Sequence, residues 1–259
     1  MELILFVISA LPVFLLAKSI YNQDRNKEPL KLLIKLFIAG IMSIFLVLIF
    51  SLVLGLIFPI LSMEYETLNK IELIAYVFIG VALVEEVSKW IMTYFISYND
   101  MDFEEVYDMV IYAVFVALGF AFFENLLYVY EGGISTGIVR AILAVPGHAS
   151  DGVFMGYYLG LAKYYSVMND NSKKRKYLLL SVLVPTILHG IYDYCLLVED
   201  YFFLGVFFVF VAVVFRTTIK KVKVVASSNK KFRFKNKFCP NCGRKVDSVY
   251  CPECGFKNE

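Results

Sequence analysis

The chain has 259 residues, 59% of them apolar, and its 25 Lys and Arg against 23 Asp and Glu leave a net charge of +2. Soluble domains run nearer to about 45–50% apolar, the mean hydropathy here is +0.69, and the excess falls in blocks that approach the roughly 20 residues a bilayer crossing needs. A disordered chain, a secreted disulfide scaffold and a nucleic-acid-coating protein are excluded, and a polytopic membrane protein remains.

Seven apolar blocks follow one another, at about 3–20, 33–60, 72–97, 106–130, 138–162, 177–197 and 201–219. The first has no basic run before it and no small-x-small site after it, so it reads as a retained helix and not a cleaved signal. The second is long enough to tilt or to break near Pro59. Short polar loops join the blocks, which predicts helices packed as sequential neighbours. Lys18, Arg25, Lys27, Lys31 and Lys35 flank the first connection, Lys163, Lys173, Lys174, Arg175 and Lys176 the loop near 170, and a dense run of Lys and Arg begins at Arg216. The alternate loops near 65, 133 and 200 carry only Lys70 and Arg140 at their edges. Basic loops stay cytosolic, which puts the N-terminus outside and the C-terminus in the cytosol.

Four of the blocks hold ionisable groups where hydrocarbon is expected. Block three carries Glu85, Glu86 and Lys89, block four Glu124-Asn125, block five Pro146-Gly147-His148-Ala149-Ser150-Asp151, and block six His189-Gly190-Ile191-Tyr192-Asp193. Each charge at a helix centre costs about 2.5–3.5 kcal/mol on insertion scales, so their presence needs a reason. From the helical rise, Glu85, Glu86, Glu124, His148 and His189 fall within a slab about 10 Å thick, and that slab holds both histidines of the chain. Individually they have structural readings: Glu85–Lys89 as an intrahelical pair, a histidine as a packing residue, Glu124–Asn125 as interhelical glue. Jointly they suit chemistry. A buried carboxylate serves as general base or acid, Lys89 can hold one glutamate ionised, and Asp193, one turn from His189, can fix its tautomer. Two histidines and a glutamate also make a ligand set for a catalytic zinc with an open position.

In order along the chain, Glu85-Glu86-x-x-Lys89, Phe120-x-x-x-Glu124-Asn125, His148 with Met155-Gly156 following, and His189-x-x-x-Asp193 resemble the motif set of the PrsW family of intramembrane proteases, related to the CAAX prenyl endopeptidase superfamily. The resemblance covers roughly 80–195. It implies an endopeptidase that hydrolyses peptide bonds of membrane-protein substrates, in or close to the bilayer, with a place in transmembrane signalling. It maps catalytic roles onto Glu85, Glu86, Glu124, His148 and His189, and leaves glutamate-type and metal-dependent mechanisms both open. The alternative function is a non-catalytic membrane scaffold or sensor, and a third reading is a proton- or ion-coupled carrier that uses the same polar residues.

The tail carries Cys239-Pro240-Asn241-Cys242-Gly243 and Cys251-Pro252-Glu253-Cys254-Gly255. Two Cys-x-x-Cys turns present four thiolates to one structural zinc, and so small a module depends on metal to fold. Cys195 reads as packing. The basic residues of the linker, Lys220, Lys221, Lys223, Lys230, Lys231, Arg233, Lys235 and Lys237, suit anionic headgroups better than nucleic acid. The expectation is an all-α transmembrane bundle of about seven spans, residues 1–219, a basic juxtamembrane linker, 220–237, and a cytosolic zinc ribbon, 238–259.

Overall fold

The computed structural model describes residues 2–24, 26–100, 102–227, 233–248 and 250–256; Arg25 and the linker residues Lys230 and Lys231 lie outside them. Among the described residues, helix α1 spans Glu2–Gln23 and α2 Leu30–Ile57. Two 3₁₀ turns (Pro59–Ser62 and Tyr65–Thr67) lead to α3, Lys70–Ala75, a π-helical stretch, Tyr76–Leu83, and α4, Val84–Ser97. Then come α5, Val106–Ile142, α6, Ala144–Val167, α7, Asn171–Leu197, and α8, Tyr201–Ser227, followed by strands β1, Arg233–Phe238, and β2, Lys245–Ser248.

The helix boundaries follow from local chemistry. Pro29 stands at the N-cap of α2, where its missing N–H costs nothing, and α2 stops at Ile57 because Phe58, before Pro59, is forced to an extended ψ of 86°. Asn69 caps α3 by accepting from the Ile71 and Glu72 N–H groups, and Glu72 returns a bond to the Asn69 N–H. The basic segment from Lys220 to Lys237 is helix as far as Ser227 and strand from Arg233.

Five helices are long and apolar enough to cross a bilayer, one of them the 62-residue run Val106–Val167. That run is not one crossing. Arg140 Nη2 lies 2.8 Å from Glu124 Oε2, whereas a straight helix would separate these positions by about 24 Å. The chain therefore folds back, and it does so at Gly133, whose φ of 73° and ψ of −164° fall outside the helical range and where a Cβ would be strained. Counting this reversal, and the continuous passage through α3, the π stretch and α4, the described chain makes seven helical passages.

The arm of α5 from Val106 to Ala121 is the hub. Nearly all of it is buried, and α1, α2, α4 and α6 pack around it. By contrast Leu48, Leu52 and Leu56 of α2 and Phe202, Val209 and Val213 of α8 are exposed, an apolar rind that water would not tolerate in this quantity and lipid does. The α2–α5 crossing is made by small residues: a Cβ on Gly119 would fall 2.0 Å from the Phe37 carbonyl oxygen, and one on Gly40 2.0 Å from that of Val116. Gly119→Ala is accordingly expected to cost about 1–3 kcal/mol by overpacking, measured as a lower unfolding midpoint in SDS. An unchanged midpoint would show that the crossing can relax.

On the side of the first connection, buried Glu28 accepts from the Tyr112 hydroxyl, which pins the α1–α2 loop to α5. Burial, and then the neighbouring Asp108 carboxylate, push Glu28 up to about 9.

The tail forms a two-stranded antiparallel sheet with Phe238 opposite Lys245. Its two knuckles repeat one hydrogen-bond pattern: Gly243 N–H to the Cys239 carbonyl at 2.8 Å and Gly255 N–H to that of Cys251 at 2.9 Å. The four sulfurs all lie within 4.8 Å of one another.

Candidate active site

Adjacent residues on a helix diverge by about 100°, so Glu85 and Glu86 cannot face the same way. Both sit in the first turn of α4, just after the π-helical stretch. Glu86 points into the bundle and is wholly buried, as is Lys89 one turn on. Glu85 lines a cavity of about 430 Å³.

The same cavity is lined by Glu124 of α5, His148 and Asp151 of α6, and His189 and Asp193 of α7. Four polar helices thus meet around one void, and Phe210, Val211, Val214 and Phe215 of α8 supply an apolar wall. Within it the polar groups form a continuous network. Lys89 Nζ donates to Glu86 Oε1 at 2.5 Å and lies 3.6 Å from Glu85 Oε2. His189 Nδ1 is 2.9 Å from Glu86 Oε1, and its Nε2 is 3.2 Å from Asp193 Oδ2 and 3.8 Å from Glu85 Oε2. His148 Nε2 is 2.7 Å from Glu124 Oε2. A carboxylate only accepts, so Nε2 carries the hydrogen there and Nδ1 keeps its lone pair. That lone pair faces Lys89 Nζ at 3.4 Å. The two imidazole rings stand 5.4 Å apart, edge to face.

The donor set also fits a divalent ion. Glu86, His148, Asp151 and His189 each offer one ligand atom, all within 4.8 Å of one another and all buried. Two imidazoles with carboxylates are zinc chemistry. Two further observations favour added positive charge. Among the described residues, five carboxylates (Glu85, Glu86, Glu124, Asp151 and Asp193) share the region with two fixed cations, Lys89 and Arg140. Glu85 Oε2 and Glu86 Oε2 are buried with no hydrogen-bond partner among the described residues.

Of the motif residues, Glu85, Glu124, His148, His189 and Asp193 line this cavity, Glu86 and Lys89 join their network, and Phe120 packs on the His148 ring, whereas Met155 and Gly156 pack against α4 and α5 and Asn125 is not part of the lining. Asn125 donates to the Ser9 carbonyl oxygen of α1 at 3.0 Å and accepts from Arg140 Nε–H at 3.0 Å. Cys195 packs with Phe207 and Val211. Sequence reasoning gave no role in the site to two residues. Asp151 stands three positions after His148 on the same helix face, a signal that was available. Arg140 is a charge within an apolar block, but it looked like the edge of an outer loop until the reversal at Gly133 was known.

Comparison with known proteins covers the same stretch of the chain. The profile of a family described as PrsW family intramembrane metalloprotease matches residues 28–218. Among curated proteins, Protease PrsW of Geobacillus kaustophilus is 35% identical over 200 residues, covering 75% of this chain and 81% of the relative. Protease PrsW of Clostridioides difficile is 32% identical over 243 residues, 91% of this chain and 97% of the relative. That of Halalkalibacterium halodurans is 38% identical over 172 residues, 65% and 78% respectively. No solved structure matches.

Proposed function

The chain belongs to the PrsW family and is an intramembrane protease of the bilayer, and from that premise we propose that the cavity between α4, α5, α6 and α7 is its catalytic centre. The observation that carries this is the convergence of Glu85, His148, Asp151 and His189, from three separate helices, on one void in an otherwise apolar bundle, with Glu86 joining His148, Asp151 and His189 in one donor cluster.

In this reading Glu86, His148 and His189, with Asp151, hold a zinc ion, which when bound lowers the pKa of water and polarises the scissile carbonyl. Glu85 is the general base: it lines the void beside the donor set, and its Oε2, in longer ion pairs with Lys89 and His189, accepts no hydrogen bond among the described residues. Asp193 orients His189, and Glu124 orients His148, in the manner of carboxylate partners behind metal-bound imidazoles. Lys89 offsets the charge of Glu86 and Glu85, so that two adjacent carboxylates can be buried together. The α8 wall keeps bulk water from the reacting bond and offers an apolar surface to a membrane-protein substrate. The distribution of Lys and Arg supports an outside N-terminus and a cytosolic C-terminus. A second, structural zinc sits in the ribbon on Cys239, Cys242, Cys251 and Cys254.

Metal analysis of the purified chain tests the assignment independently of turnover. Two zinc ions per chain are expected, one after His148→Ala/His189→Ala and one after Cys239→Ser/Cys251→Ser. A single ion in the native chain, lost entirely with the cysteines and unaffected by the histidines, would remove the metal from the membrane site and return the mechanism to the carboxylates.

A further inference from the structure

We propose that Arg140 is a positioning residue of the catalytic centre, holding Glu124 in place and through it the His148 ring. This rests on reading the cavity as the proteolytic site. Arg140 Nη2 lies 2.8 Å from Glu124 Oε2, the same oxygen that stands 2.7 Å from His148 Nε2. One carboxylate oxygen therefore faces both groups, the guanidinium meeting it as an ion pair and not as an aligned hydrogen bond.

The guanidinium is itself braced on its other sides. Its Nε–H donates to Asn125 Oδ1 at 3.0 Å, and the Tyr128 ring centre lies 4.1 Å from its Cζ. Asn125 in turn donates to the Ser9 carbonyl oxygen, so α1 is tied into the same assembly. All of this depends on the reversal at Gly133, which returns the chain beside the residues it has just left. The two side chains are 15% and 19% exposed, which leaves little room for water to take over if one is removed. Serving Glu124 and Asn125 at once needs the planar fork of arginine, which a lysine ammonium does not reproduce. Arg140 touches neither histidine; it acts through Glu124.

Partners standing behind metal-bound imidazoles typically matter by about 10–100-fold in activity. The test uses the full chain in proteoliposomes and a fluorescent single-span membrane reporter, selected as one the wild-type chain cuts. Arg140→Gln should lower kcat by about 10–100-fold with KM changed by less than about threefold, and Glu124→Gln should behave alike. Because both act through one ring, Arg140→Gln/Glu124→Gln should fall no more than about threefold below the slower single variant. Arg140→Lys should recover only part of the loss.

Wild-type kcat in Arg140→Gln, losses that multiply in the double variant, or a change confined to KM would overturn the proposal. Arg140→Gln strands a buried carboxylate and risks misfolding. The double variant removes both charges, and its kcat against that of Glu124→Gln alone then decides: equal supports the proposal, a further large loss sinks it. Failure of the underlying reading is separately visible, since Glu85→Gln and His189→Ala would then both cleave the reporter as the wild type does.

Discussion

Glu85→Gln is expected to reduce cleavage of a membrane reporter by about 10²–10⁴-fold, the range that a positioned general base contributes. The substitution is nearly isosteric. It removes the basic oxygen while leaving the first turn of α4 and the buried Lys89–Glu86 pair untouched. The paired control is Glu86→Gln, one residue away but directed at the donor cluster and not into the void. Both should abolish turnover, but only Glu86→Gln should also release the zinc ion of the membrane site. Measuring zinc content beside reporter cleavage thus separates a base from a ligand. If Glu85→Gln turns over normally, or loses metal as readily as Glu86→Gln, the division of labour between the two glutamates is wrong.

The second large effect concerns the tail. Its described residues bury little beyond Cys239, Val246 and Cys251, far too small a core to offset the entropy of ordering a chain of this length. Structural zinc supplies about 10–16 kcal/mol of apparent binding energy at pH 7 in comparable modules, so the ribbon's fold and its metal are one equilibrium. In Cys239→Ser/Cys242→Ser, amide hydrogen exchange across 238–256 is expected to become that of an open chain. The bundle supplies its own reporter: Trp90, the only tryptophan of the chain, donates from its indole to Ser181 Oγ at 2.8 Å and bridges α4 to α7. Its fluorescence should not move. Protected amides in the metal-free tail would show that the strands hold by themselves; a shifted Trp90 spectrum would show that tail and bundle fold as one.

These expectations divide the molecule as its chemistry does. The bundle places Glu85, Glu86, His148 and Asp151 on α4 and α6, which pack against α5, and His189 and Asp193 on α7, which is held by α6 and the π-helical stretch. The apolar α8 forms one wall of the cavity and is otherwise largely exposed. Arg140 joins the two halves of α5 through its ion pair with Glu124.

Much of this was written locally in the chain. Apolar runs of crossing length specify a helical bundle because hydrocarbon forces backbone groups to bond within their own helix. Pro59 marks the end of α2, because the residue before proline leaves the helical region. The spacing of Cys239, Cys242, Cys251 and Cys254 specifies a metal knuckle pair, since each turn is closed by its own few residues. Counting rise per residue even brings Glu85, Glu86, Glu124, His148 and His189 to one depth. Depth, however, says nothing about azimuth. That Glu86 joins the donor cluster while Glu85 faces the void, that Asp151 completes that cluster, and that Arg140 turns back upon Glu124 were decided only when the helical passages packed together. The reason is that helix rotation and the reversal at Gly133 are fixed by contacts between residues far apart in sequence, such as Gly119 against Phe37 and Asn125 against Ser9, which no local pattern contains.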